Sequence, residues 1–446
     1  MHRMRTPFQT SLVALSVLVL AATAEAQVTV VVESGDIGPG GVVYRRLPRR
    51  PAVSDAAGTQ VAFNATVRGG TSRLGIFADD DDATVPGTAI VLKDQPSPTG
   101  AQFTKFGVPS INAASRVAFS ARMRASGAGV FLDGVSTVVL KLDDAPPAFP
   151  TFFASFDNAE VTDAGDVVFK ATLGNAPTVS GVTADVGIFR CTGGPSPNCS
   201  SAEAGTGTLS AVVAVGDATG AGRTFCGLGD FDASDFGIAL RASTKVDCTD
   251  GTEPAVDGIF RITYAGAVET LALVGNPSEP DPLSTTFYQK LNRGPAIANN
   301  GMVAFYGFIG AAASDGLFVC DPAVCPGSAL PTLAVQAGVA SAADQPADND
   351  LVRLSAPGVS DAGDVVFRAN LIGPAGRFRG LFVYRDASGQ NETIALNGDV
   401  APTQPPDPSA QFRSFRLPFM TSGGKVVFAA RARGSSGSIR GIYLFQ

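Results

Sequence analysis

The sequence predicts an all-β fold, a seven-bladed β-propeller with four antiparallel strands per blade, in which the N-terminal strand closes the last blade. Three observations predict it. A Gly-aliphatic-aromatic tripeptide returns seven times, as Gly75-Ile76-Phe77, Gly129-Val130-Phe131, Gly187-Ile188-Phe189, Gly258-Ile259-Phe260, Gly316-Leu317-Phe318, Gly380-Leu381-Phe382 and Gly441-Ile442-Tyr443. Successive glycines are 54, 58, 71, 58, 64 and 61 residues apart. A period of that size marks units that cannot bury a core alone and must stack on their neighbours. Second, each unit offers four short apolar runs separated by Gly, Pro, Asn and Asp, without helical periodicity. Third, the last unit ends at Gln446 directly after its third run, while VTVVVESGD (28–36) resembles the fourth run of other units, such as ETIALNGD (392–399).

Each blade opens on an apolar pair spaced by three: Tyr44/Leu47, Phe103/Phe106, Phe153/Phe156, Phe225/Leu228, Phe287 with Lys290-Leu291, Leu351/Leu354 and Phe412/Phe415. In an ideal strand that spacing puts the two side chains on opposite faces, so a bulge or an approaching loop is expected there. The fifth pair is irregular by one residue. A turn and second strand follow, in VSDAAGTQVAF (53–63), INAASRVAF (111–119), VTDAGDVVF (161–169), IANNGMVAF (297–305), VSDAGDVVF (359–367) and MTSGGKVVF (420–428). Asp/Asn-Ala-Gly between such runs is hairpin chemistry, because Gly and Asn accept positive φ. The fourth repeat, FDASDFGIAL (231–240), departs most. The tripeptide is the third strand and a run such as AVVAVGD (211–217) the fourth. Blades are expected at about 44–95, 101–144, 151–217, 224–276, 286–338, 350–399 and 411–446 plus 28–36. Four antiparallel strands repeated radially make a propeller, and pairing the first strand into the last blade removes the open edge.

INAASRVAF and IANNGMVAF, followed by GVF and GLF, resemble a family of bacterial exported repeat proteins with tandem Ile-Asn-x-x-Gly-x-Val-Ala-Phe…Gly-Ile-Phe units. The resemblance covers essentially the whole chain after residue 26. It implies a propeller and export, and brings no catalytic residues. Members often carry a C-terminal surface-sorting tail; none is read here, so surface anchoring is not expected.

Residues 1–26 read as a secretory signal, with Arg3 and Arg5, an apolar run from Leu12 to Ala22, and Ala24-Glu25-Ala26 as the cleavage site. No later stretch approaches membrane-span length. An exported monomer is expected, periplasmic or extracellular. Removing Arg3, Arg5 and Glu25 takes the formal net charge from −7 to −8, which argues against nucleic acid as a partner. Six cysteines in an exported chain read as disulfides, paired locally as Cys191–Cys199, Cys226–Cys248 and Cys320–Cys325.

The single histidine, His2, lies in the signal and there is no tryptophan. Ser-His-Asp and Cys-His mechanisms and imidazole-bound metals are thereby excluded. Asp, Glu, Lys and Tyr remain as acids and bases. Three sets of polar residues are candidates. An acid recurs after the fourth strand, at Asp36, Asp94, Asp144, Asp217 and Asp399 with Asn276 in repeat 4, and the preferred reading is a side-chain-capped turn. The run Asp79, Asp80, Asp81 and Asp82 could take Ca2+, although it lacks the alternating spacing of a calcium loop; no cofactor is otherwise expected. Arg45, Arg46, Lys105, Lys290, Arg353 and Arg413 fall where first strands begin, and in a closed ring could form a basic collar for an anionic ligand, against the plainer reading of solvated polar positions. The Pro-rich segment TQPPDPS (403–409) reads as a stiff linker.

The preferred function is a non-enzymatic propeller that binds a protein or glycan partner through its loop face. The alternative is a polysaccharide-active enzyme, a glycosidase or lyase, which requires acids converging at the channel with Tyr or Arg nearby. An active site should also break the repeat symmetry. The strongest break visible in the sequence is the cysteine-bearing loops of repeats 3 to 5.

Overall fold

Seven four-stranded blades, six built from consecutive runs of one repeat and the last completed by the N-terminal strand, surround a central channel in a computed structural model of the chain. The structure describes residues 27–446 except 49, 56–58, 81–86, 126, 135, 142–143, 148, 150, 176–177, 180, 195, 202–204, 221, 276–287, 311–313, 326–329, 339–349, 375 and 436. The expected secretory signal, residues 1–26, therefore lies outside the described residues, as do Asp81, Asp82, Asn276 and Phe287. Blade 1 shows the plan, with a first strand in two pieces, Val43–Arg46 and Ala52–Val53, then Gln60–Arg68, Leu74–Asp80 and Thr88–Leu92. Strand order follows the chain in the first six blades, antiparallel throughout, and in the seventh the N-terminal strand takes the outer place. Among the described residues no helix is long and apolar enough to cross a membrane.

The Gly-aliphatic-aromatic motif has a packing cause. The aromatic ring two residues on folds back over the glycine, and a Cβ added at Gly187 would sit 2.8 Å from the ring of Phe189. The same approach recurs from Gly75, at 3.0 Å from Phe77, to Gly441, at 2.6 Å from Tyr443. Only glycine leaves room for the ring, which then stacks on its second-strand neighbour, as Phe169 does on Phe189 with centroids 5.8 Å apart.

The spacing of three in the first strand is resolved by a bulge in every blade. Register shifts at Tyr44/Arg46, Phe103/Lys105, Phe153/Ser155, Phe225/Gly227, Tyr288/Lys290, Leu351/Arg353 and Phe412/Ser414. One extra residue restores the parity of the pleat, so both members of the pair face the core. In blade 5 the pair is Tyr288/Leu291, both buried, rather than Phe287 with Lys290-Leu291. The neighbouring Phe287 and Tyr288 offered two registers, and packing selected the regular one.

Proline decides the inner edge. The first strand breaks before Pro51, Pro109, Pro295, Pro357 and Pro418, and resumes immediately after each as a two-residue strand. Proline has no N–H to give the ladder. Blades 3 and 4 carry Ala159 and Phe231 at this position, and their first strands run unbroken as Phe153–Val161 and Thr224–Ala233.

Hydrophobic cores form between neighbouring blades. Val28–Glu33 pairs antiparallel with Gly437–Phe445 and closes the ring as expected. Its Val31 and Val32 pack with Ile442 and Leu444 of blade 7 against Val53, Val61 and Phe63 of blade 1. Polar staples also join blades. The residue after the second-strand aromatic reaches the next first strand: Asn64 Nδ2 donates to Gly107 O, Lys170 Nζ to Leu228 O and Gly229 O, and Arg368 Nη1 to Phe415 O. The three cysteine pairs form at Cα separations of 6.0 Å (Cys191–Cys199), 5.5 Å (Cys226–Cys248) and 5.5 Å (Cys320–Cys325).

Candidate functional site

Because the first strands line the channel, the residue after each inner proline, or after its substitute, occupies one equivalent position. The seven residues there are Ala52, Ser110, Glu160, Asp232, Ala296, Gly358 and Phe419. All of them border one cavity of about 210 Å3. Only the two blades without the proline place acids there, side by side on adjacent unbroken strands. This is a break in the sevenfold pattern at the chain's axis rather than in its loops.

Both carboxyls keep some surface on the lumen, but the lumen is itself walled by seven blades. Burial drives the Glu160 carboxyl well above the usual range, and the Asp232 charge adds to the shift. Burial also raises Asp232, to about 6, against the opposing hydrogen bonds from the Ile297 and Ala233 N–H groups. Ile297 N donates to Asp232 Oδ2 at 2.9 Å. Glu160 Oε2 is enclosed and makes no well-directed hydrogen bond. Two carboxyls this close do not ionise independently, so the pair takes up and releases its protons as one unit. Arg50, on the lumen, favours the ionised form of both.

Toward one end lies a second cavity of about 560 Å3, with Arg50, Arg368 and Arg416 on its wall. Arg50 and Arg416 are exposed. Burial, then the positive charges of Arg293, Arg379 and Arg416, hold Arg368 below its usual range. Crowding of like charges at a lined opening suits an anionic ligand. At the opposite end the hairpin turns staple blade to blade. Asp163 Oδ1 accepts from Ala113 N, Asp235 Oδ1 from Ala164 N, Asp361 Oδ1 from Asn300 N, and Asp55 Oδ2 from Gly423 N. Asn299 of blade 5 goes further. Its Nδ2 donates to Asp163 Oδ2 of blade 3 at 2.6 Å and its backbone N–H to Ser422 Oγ of blade 7 at 3.0 Å.

The candidate residues read from the sequence fall elsewhere. Arg45, Arg46, Lys105, Lys290, Arg353 and Arg413 are all exposed, on the half of each first strand remote from the stapled turns, and none lines the two cavities. The recurrent acids cap turns: Asp36, Asp144, Asp217 and Asp399 accept from Glu33, Leu140, Ala214 and Leu396 N–H at 2.6–2.8 Å. Asp94 departs, and Gln95 Oε1 caps Leu92 N in its place. Asp79 is raised to about 7 by burial, and Asp80 N–H donates to it. Among the described residues no cluster of three or more His, Cys, Asp or Glu could hold a metal ion. The acid pair escaped the sequence reading although its signal was present: in AEVTD (159–163) and FDASD (231–235), an acid follows a missing proline.

The chain belongs to a family of unknown function (DUF7453), matched over residues 8–198 and 205–444. No curated protein matches it. Among solved structures it is similar to an oligogalacturonate lyase from Vibrio parahaemolyticus, at 10% identity and TM-score 0.46, covering 95% of this chain and 98% of that one. It is also similar to an α-L-arabinanase from Penicillium chrysogenum, complexed with arabinobiose, at 12% identity and TM-score 0.36, covering 81% and 98%. Likenesses this loose carry no functional argument.

Proposed function

We propose that this protein cleaves an anionic, uronate-bearing glycan in its channel, with Glu160 and Asp232 as an acid–base pair and Arg50, Arg368 and Arg416 receiving the carboxylates. The observation that carries the reading is the acid pair itself: two adjacent half-buried carboxyls, both raised by burial, found only where the repeat loses its proline. That arrangement favours the enzymatic alternative over a propeller that only binds. It also favours elimination over hydrolysis. Glycosidases hold their two carboxyls about 5–9.5 Å apart to admit a nucleophile or a water, whereas these two are close enough for each to shift the other's ionisation.

In elimination, a cation at the uronate carboxylate makes the C5 proton acidic. Asp232 takes that proton, and the C4–O bond breaks. The departing sugar oxygen takes the proton of Glu160, and a C4=C5 double bond remains. Two groups side by side suit loss of both partners from one face of the ring.

The test is incubation with polygalacturonate, alginate and hyaluronan, following the ultraviolet absorbance of the new double bond. Glu160→Gln and Asp232→Asn should each lower kcat by about 10²–10⁴ with the fold retained. The wild-type rate should rise as pH passes about 6, where Asp232 ionises. Binding without any double bond formed would return the protein to a pure binding role.

A further inference from the structure

We infer that the channel is a dead end that takes a glycan by its terminus, so that the protein acts on chain ends and not on chain interiors. The inference rests on the proposed glycan site and goes beyond it to which part of the polymer is recognised. In a ring of seven blades, blades 3, 5 and 7 are not neighbours, so a residue bonded to all three must reach across the lumen. Asn299 does so, through Asp163 and Ser422, and its Oδ1 also accepts from Asp235 N of blade 4 at 3.2 Å.

Asn299, Asp163 and Ser422 all border the cavity that holds the acid pair, so the tie forms the floor of that cavity. Each member of the acid pair lies three residues along the chain from this floor, Glu160 against Asp163 and Asp232 against Asp235. A polymer threading the axis would have to break those bonds and then pass the ring of stapled turns. The arginine end offers an approach through a cavity of about 560 Å3. A chain entering there reaches the carboxyls with its first units and stops.

Binding stoichiometry tests this without requiring turnover. Isothermal titration of the Asp232→Asn protein with oligogalacturonates of increasing length, and with polygalacturonate, alginate and hyaluronan, counts proteins per chain. End recognition predicts a count that stays constant as chains lengthen, with affinity reaching a plateau after the first few units. Where the wild type turns over, the shortest product should appear alone from the first time point. A count that grows in proportion to chain length, or an early ladder of intermediate fragments, overturns the end-on inference while leaving the anionic-glycan site standing. Absence of binding to every glycan in the panel overturns both, and the two failures are thereby told apart.

Discussion

Glu33, on the strand that closes the ring, should make the protein more stable in mild acid than in mild base. Its side chain is 2% exposed, wedged between the last blade and the Pro-rich segment. Oε2 accepts from Gln404 N at 3.1 Å and Oε1 meets the Tyr443 hydroxyl at 3.5 Å. Burial outweighs these bonds and raises the carboxyl from 4.5 to about 7, with the Asp36 charge adding to the shift. A carboxyl raised in the fold binds its proton more tightly folded than unfolded. Its contribution is therefore full below the unfolded value and is lost as pH climbs through about 7. The gap from 4.5 to about 7, at ~1.36 kcal/mol per pH unit, sets the loss at about 3 kcal/mol by pH 8, as an upper bound. Glu33→Gln keeps the shape and an acceptor for Gln404 N–H, and removes the charge. Urea unfolding at pH 5 and pH 8 should show the variant within about 1 kcal/mol of wild type in acid and more stable by about 1–3 kcal/mol in base. A variant equally destabilised at both pH values would refute the reasoning, since the carboxyl would then be ionised and well paired throughout.

Removing residues 27–33 strips Val30, Val31 and Val32 from two cores, at roughly 1.5–3 kcal/mol each, which together rivals the stability of a typical domain. The truncated protein should aggregate or melt far lower, and equal melting temperatures would sink the closure. Gly187→Ala forces a Cβ to within 2.8 Å of the Phe189 ring and should destabilise by about 1–3 kcal/mol in a thermal melt, whereas an unchanged melt would show that the ring can yield. We also propose that the exposed residues Arg45, Arg46, Lys105, Lys290, Arg353 and Arg413 gather anions at the rim beyond Arg50, Arg368 and Arg416. Lys105→Glu with Arg413→Glu should then slow capture of polygalacturonate at low salt and matter little at physiological salt, where exposed charges are screened beyond about 8 Å. Capture rates indifferent to the double reversal at every salt concentration would reduce them to solvated polar positions.

The architecture was legible in the chain because it rests on local chemistry repeated seven times. The glycine beneath each ring, the Asp/Asn-Gly hairpins and the near-sequential cysteine pairs each report a contact within one unit, and repetition separates them from chance. Ring closure was legible too, since a last unit lacking its fourth strand and a first strand lacking a sheet complete each other. The register of blade 5 was not, because Phe287 and Tyr288 satisfy the same pattern and only the packing of Tyr288 and Leu291 separates them. The site belongs wholly to tertiary structure. Glu160 and Asp232 are 72 residues apart, and each alone looks like an ordinary polar position in an alternating strand. They become a proton-sharing pair only when adjacent blades bring one repeat position together and seven first strands shut out bulk water. Arg50 and Arg416 come from the breaks in the first strands of blades 1 and 7, and Arg368 from the second strand of blade 6, so no spacing in the sequence joins them. Sequence alone determined which face of each strand is apolar and how the chain turns. The convergence of charge on the axis was decided by the closed ring, because radial stacking maps residues far apart in sequence onto the same few ångströms of lumen.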